Sequence, residues 1–359
     1  MHFIIDADTG DQIVGWLAPD NPSETPKFII SIPGREDIEV SANLVRTDIR
    51  DFGLHSTGQC GFCIGPDIVP DLAHLPDVEI TEGDNHLPIY RRLQPGHVER
   101  KIFLFDCTLI PQRRILQEIK DRFSLSYFNS ERNGLETTIA LIANPFCKSI
   151  FISGRSLLLR YNDLLKEKGY LRMALLREPH EELAERLYFL NFLVKEGSAD
   201  SSYAGYTTGV KSLLEFAANL PFNDQKALTS AFRGTTEQQR RELMSPMTKV
   251  FGCDVDEMPK NANVSRALDA LADFDVVGTR ERFPLFKDLV TAAAGGANMF
   301  GEEEPVFFQS VKTLAESLAK IGIVNDLLAD DLALFKYVDE AIGESLSDPD
   351  MLKQGGSAA

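Results

Sequence analysis

Lys101-Ile-Phe-Leu-Phe-Asp106 is a short apolar run closed by an acid, and Cys107-Thr-Leu-Ile-Pro-Gln-Arg113 leads from it into a helical pattern through Ile115, Leu116, Ile119 and Phe123. A buried strand, a short loop and a helix with proline near its first turn make the opening of a parallel α/β domain. Two more strands are expected over Ser149 to Ser153 and Leu171 to Leu176. The second runs through Arg177-Glu178-Pro179 into an amphipathic helix, Glu181 to Glu196. Ser201 to about Ala272 reads as helical and polar, Phe274 to Gly278 as a late strand and Phe283 to Ala293 as a helix. Val311 to Leu328 and Leu332 to Glu344 read as two closing helices, with Asp330-Asp331 capping the last.

Upstream of this stretch the pattern changes. His2 to Ile5, Ile13 to Leu17, Lys27 to Ile32 and Ile38 to Val45 are short apolar runs separated by turn residues, and Phe28-Ile29-Ile30-Ser31-Ile32 alternates as a strand with one buried face does. A small all-β domain, a sandwich or half-barrel, is therefore expected over residues 1–96, ending at Pro95-Gly96. An α/β domain follows over 97–350, and 351–359 is expected to be a disordered tail.

The chain has 359 residues, 43% of them hydrophobic and 25% charged, which is an ordinary globular composition. Its formal net charge of -17 argues against nucleic acid and anionic membrane surfaces as partners. No segment approaches the roughly 20 apolar residues that span a bilayer. Five scattered cysteines fit a reducing compartment, so a cytoplasmic protein is expected. Cys60 and Cys63 form a lone CxxC with no second ligand pair, and read as small residues in a β-rich segment. The apolar late helices offer a face for a homodimer.

In a parallel sheet, ligands dock where strands end and helices begin, because helix N-termini present unpaired amides to anions. Two such corners are visible, Cys107 to Arg114 and Arg177 to Glu181. Around the first, Arg91 to Arg122 holds eight basic residues against four acidic ones, a net of +4. Arg113 and Arg114 fall in a helical first turn, where a cation is disfavoured unless an anion sits beside it, or else pair with Glu118 and Asp121 along a solvated face. Arg177, at a strand end, is placed to fork onto a phosphate, or to pair with Glu178 or Glu181.

Several of these stretches, in order, resemble the bacterial and carbohydrate sulfotransferases that use 3'-phosphoadenosine 5'-phosphosulfate. Phe103-Leu104 with its turn and helix resembles their opening strand and phosphosulfate loop, and Phe151-Ile-Ser-Gly-Arg155 resembles a strand ending in Ser-Gly-His. Leu175-Leu-Arg-Glu-Pro179 resembles Leu-Arg-Asp-Pro, and Val276-Val-Gly-Thr-Arg-Glu-Arg-Phe283 resembles Val-Gly-x-x-Glu-Arg-Phe. Asp331 to Tyr337 is similar to a closing Asp-x-x-Leu-Tyr helix. The resemblance spans about Lys101 to Glu344. The β-unit is outside it and looks like modules joined to bacterial polysaccharide enzymes, in Gly15-Trp16, Arg46-Thr-Asp48 and Gly58-Gln-Cys-Gly61-Phe62.

The resemblance implies a P-loop-like parallel sheet flanked by helices, a phosphosulfate cofactor and a carbohydrate acceptor. It puts Gln112, Arg113, Arg114, Arg177, Glu185 and Arg280 at the cofactor, with Glu131 and His180 as candidate general bases by their nearness to the two loops. The departures are specific. The loop lacks the family's lysine and its small residues, Glu185 stands where a serine is expected, and Arg155 replaces the histidine. Three readings follow: a divergent sulfotransferase with Arg113 or Arg114 in place of the lysine, a sulfotransferase-like protein that binds a glycan or partner without that cofactor, and an enzyme using another phosphorylated donor. They divide on whether Arg113 or Arg114 and Arg177 share one cleft with Glu185 turned away.

Overall fold

The computed structural model describes residues 1–196 and 207–347. The expected tail and the first residues of the polar stretch after Ser201 lie outside them. The first ninety residues form two antiparallel sheets. One has the order β1 (His2–Asp8), β2 (Ile13–Ala18), β6 (Gln59–Ile64), β5 (Leu44–Val45), and the other β4 (Ile38–Ser41), β3 (Lys27–Ser31), β7 (Glu79–Glu82), β8 (Pro88–Arg91). Alternate residues of β3, Phe28 and Ile30, are buried. The Phe28 ring lies 4.5 Å from Phe62 on the opposing sheet, so the two inner faces interlock. Cys60 and Cys63 sit within β6 as free thiols, both raised by burial, and no metal-binding cluster occurs among the described residues.

The second half is built on a five-stranded parallel sheet in the order β10 (Leu125–Tyr127), β11 (Ile150–Gly154), β9 (Lys101–Asp106), β12 (Leu171–Leu176), β13 (Val276–Thr279). Both faces are covered. Phe103, Phe105, Ile150, Ile152, Ala174 and Leu176 pack toward helices Leu135–Ala143, Leu158–Glu167, Pro246–Gly252 and Asn261–Leu271. Ile102, Leu104, Phe151, Met173 and Leu175 pack toward Arg113–Arg122 and Phe283–Ala293. Burial on both sides is why these strands read as unbroken apolar runs. The first of these clusters continues into the β-unit, through Ile89 and Tyr90, and the Tyr127 hydroxyl donates to the Pro88 carbonyl at 2.6 Å.

The strand order sets the cleft. From the central β9 the chain travels to the edge strand β10, returns to β11, then crosses β9 to reach β12. Neighbours β9 and β12 thus send their chains in opposite directions, which opens a crevice at their carboxyl ends.

Two expectations are corrected. Val311 to Leu328 is not one helix but two, Gln309–Leu318 and Gly322–Leu327. The break falls at the buried, extended Ile321 just before Gly322, a residue that weakens a helix interior. The apolar faces of both, Val311, Leu314, Leu318 and Val324 among them, pack against helix Pro179–Lys195 and its neighbours inside the chain. Asp330 and Asp331 lie in the first turn of helix Ala329–Ser347, where negative charge suits the helix dipole. Asp331, however, turns to another helix and accepts from the Met247 amide at 3.0 Å and the Thr248 amide at 2.6 Å, at the start of Pro246–Gly252. No helix among the described residues is long and apolar enough to cross a membrane.

Burial pushes the Asp331 carboxyl from its ordinary 3.8 up to about 7, against the pull of those amides. The folded chain then holds a proton that the unfolded chain loses, so this stability is fully present below 3.8 and is lost as pH rises through about 7. Thermal unfolding of the wild type, followed from about pH 4 to pH 8, is expected to fall with pH more steeply than that of Asp331→Asn. Equal slopes would refute this.

Candidate functional site

Arg177 is the first residue beyond β12, and the turn it begins is locally determined. Pro179 starts helix Pro179–Lys195, where its missing N–H costs nothing, and the Glu178 carboxylate caps that helix by accepting from the Glu181 amide at 2.7 Å. Two turns into the helix, Glu185 faces back toward the strand end. Arg177 donates to the Glu185 carboxylate, and Arg280, from the turn after β13, donates to both of its oxygens at 2.7 and 3.2 Å. The two guanidiniums are 1% exposed and the carboxylate 2%. Burial raises the Glu185 carboxyl, and Arg280 and then Arg177 oppose that.

A chain segment closes over this triad. Arg280 also donates to the Val306 carbonyl at 3.1 Å, the Val306 amide donates to Gln112 Oε1 at 3.1 Å, and the Phe307 ring lies 5.5 Å from the Arg280 guanidinium and 6.0 Å from that of Arg177. Arg177 meets Glu181 as well, at 3.5 Å.

The cleft beside the triad lies over the carboxyl ends of β11, β9 and β12. Its walls are largely apolar, with Leu109, Ile110, Phe128 and Phe300 among them, and its polar lining includes Asp106, Gln112, Asn129 and Glu131 as well as Arg280. Glu131 is held by Arg155, whose amide and Nε each donate to it at 2.9 Å. Gly154 makes that approach feasible. A Cβ there would stand 2.5 Å from the Ser130 amide nitrogen and closer still to the Glu131 carboxylate. Asp106 ends β9 and accepts from the Thr108 amide at 3.0 Å and its hydroxyl at 2.8 Å, and burial raises its carboxyl.

The sequence-derived residues therefore divide. Gln112, Glu131 and Arg280 line one cleft, and Arg177 and Glu185 are buried beside it, joined to it through Arg280. Arg113 and Arg114 are exposed and do not line it, and Arg114, 83% exposed, faces Glu303 at 3.8 Å. The periodicity of helix Arg113–Arg122 explains this, since Ile115 and Ile119 take the buried face and the first-turn arginines point away. His180 does not line the cleft either. Its Nδ1 pairs with Glu178 at 2.9 Å and its Nε2 with Asn325 at 2.9 Å, and the Glu178 contact raises its pKa despite burial. Asp106 was overlooked as a site residue, although an acid closing an apolar strand was the available signal.

No protein-family model matches this chain, and no curated protein matches it. The sulfotransferase likeness rests on the quoted residues.

Those residues do not fit a 3'-phosphoadenosine 5'-phosphosulfate. In the loop after β9, Pro111 has no N–H, the Thr108 amide is committed to Asp106 and the Arg113 amide to the Pro111 carbonyl at 3.1 Å. Around the cleft, Arg155, Arg177 and Arg280 are outnumbered by Asp106, Glu131, Glu181 and Glu185. A phosphate charge about 4 Å from Glu185 would be repelled by on the order of 4 kcal/mol at the effective dielectric of a protein site.

Removing one member of a buried ion cluster leaves the others uncompensated. Glu185→Gln is expected to cost about 3 kcal/mol of stability in urea unfolding, while the exposed Arg114→Ala changes it by under about 0.5 kcal/mol. Equal effects of the two would show that the triad contributes nothing special.

Proposed function

We propose that this chain is a sulfotransferase-like α/β protein that does not use 3'-phosphoadenosine 5'-phosphosulfate and instead binds an uncharged, hydroxyl-rich ligand, a glycan segment, in its cleft. The observation that carries this reading is the Glu185 carboxylate between Arg177 and Arg280, in the place where the resemblance would put a 3'-phosphate. Together with Glu181, a carboxylate there offsets both guanidinium charges from within the chain, although Arg177 Nε and Arg280 Nε keep no hydrogen-bond partner among the described residues.

The lining supports the same reading. Carboxylates and amides, here Asp106, Glu131, Gln112 and Asn129, accept from and donate to sugar hydroxyls, and the half-buried Phe128 suits the apolar face of a sugar ring. The free cysteines accord with a cytoplasmic setting. Of the two expected bases, Glu131 is the one that lines the cleft, where the amide and Nε of Arg155 fix its orientation.

Calorimetric titration with 3'-phosphoadenosine 5'-phosphate tests the proposal. No binding is expected for the wild type, whereas Glu185→Ser, by freeing two guanidiniums, is expected to gain affinity that Arg177→Ala in the same background removes. Micromolar binding by the wild type, lost in Arg177→Ala, would overturn the proposal in favour of a divergent sulfotransferase.

A further inference from the structure

The cleft is nearly shut. It holds about 60 Å³ of open space, against 450 to 550 Å³ in three other cavities of the chain. That is room for about two waters at roughly 30 Å³ each, where a small-molecule site spans about 300–1,000 Å³. One wall belongs to the connection between helices Phe283–Ala293 and Gln309–Leu318, whose Phe300 and Pro305 line the cleft.

This connection is fixed at one point and loose beyond it. Phe300 is buried against Phe283 and Phe286, ring to ring at 5.5 and 6.0 Å, and the Gly301 carbonyl accepts from Lys287 Nζ at 2.7 Å and Asn298 Nδ2 at 3.0 Å. Gly301 has a φ of 59°, and a Cβ on it would lie 2.6 Å from the Glu118 carboxylate, so this turn requires a glycine. From Glu302 to Phe308 the one buried residue is Pro305, and Val306, Phe307 and Phe308 are half-exposed. The Val306 amide is the only one in residues 302–308 that donates to another described residue, and its acceptor is the Gln112 side chain. Few buried side chains and few backbone bonds mark a segment that opens without the rest of the fold.

The closed arrangement also leaves donors unmet. The Phe307 ring stands over the Arg177 and Arg280 guanidiniums, whose Nε atoms are buried with no partner among the described residues, as is the neighbouring Thr279 hydroxyl. A buried donor without an acceptor disfavours the state that hides it. We infer that residues 302–308 are a strap that closes the cleft in the free chain and swings about Gly301 to admit a ligand. Its catch is Val306, held between Gln112 and Arg280, together with Phe307 over the two arginines. Opening brings water or ligand oxygens to the unmet donors. The inference rests on the reading that the cleft takes a ligand, though not on which ligand.

The test needs no ligand. Ser153, near the end of β11, is buried and lines the cleft, and Ser153→Cys in the full chain puts a thiol of nearly the same size there. Its alkylation by iodoacetamide, mapped by peptide mass spectrometry to tell it from the native cysteines, reports how often the strap lifts. Val306→Pro removes the amide held by Gln112, and Phe307→Ala removes the ring over the arginines. Neither residue lines the cleft, so a faster reaction reports movement and not a missing wall. Each is expected to speed alkylation about fivefold in the Ser153→Cys background, while Glu303→Gln leaves it unchanged. Hydrogen exchange is expected to quicken at residues 302–308 and to stay as it was in helix Arg113–Arg122. A thiol that reacts like a free cysteine before either change, a rate indifferent to both, or lost protection across that helix would each overturn the inference. A cleft that shields its thiol in this way but binds no glycan would sink the proposed function and leave the strap standing.

Discussion

The architecture of the cleft depends on one buried carboxylate. Glu185 ties together four separate pieces of chain: the end of β12 through Arg177, its own helix, the turn after β13 through Arg280 and, by way of Arg280, the segment at Val306 and Phe307. Taking three charges out of water costs several kcal/mol per ion, and the cost is met only while each keeps its partners. The cluster therefore has a single workable geometry. A phosphate entering between the arginines would have to displace Glu185 from both of its partners, which is the ground of the proposed reading.

The surroundings carry the same logic outward. Helix Pro179–Lys195 buries a second ion pair, Glu182 with Arg186 at 2.7 Å, and Glu131 with Arg155 closes the far side of the cleft. Arg155, Arg177 and Arg280, near the carboxyl ends of the strands, each meet a carboxylate of the chain. On the proposed reading, hydrogen-bonding groups and apolar surface are what the cleft offers to an uncharged polyol.

The amino ends of the strands follow a different economy of charge. There the β-unit is joined by Arg92, saturated by Asp8 and three carbonyls, while Arg91 pairs with Asp77. The basic stretch from Arg91 to Arg122 is thus not one patch in space. Its beginning pairs with Asp77 and Asp8 at the exit of the β-unit, and its later arginines lie on an exposed helix face.

The strands Lys101–Asp106 and Leu171–Leu176 and the helix Phe283–Ala293 were legible to the residue, because elements buried on both faces, or along one helical stripe, must carry an apolar pattern of their own. β10 was not legible, since three residues at a sheet edge are too few for a period, and the break at Ile321 was hidden by apolar residues that suit one helix or two. The spacing of Arg177 and Glu185 shows that they can meet, because two helical turns return a side chain to the same face. That Arg280 joins them from 95 residues away, that Arg113 and Arg114 turn outward and that Asp331 caps a different helix were decided only by the tertiary structure. A long charged side chain takes its direction from whatever opposite charge or open water the packed segments bring near it, and no local pattern encodes that.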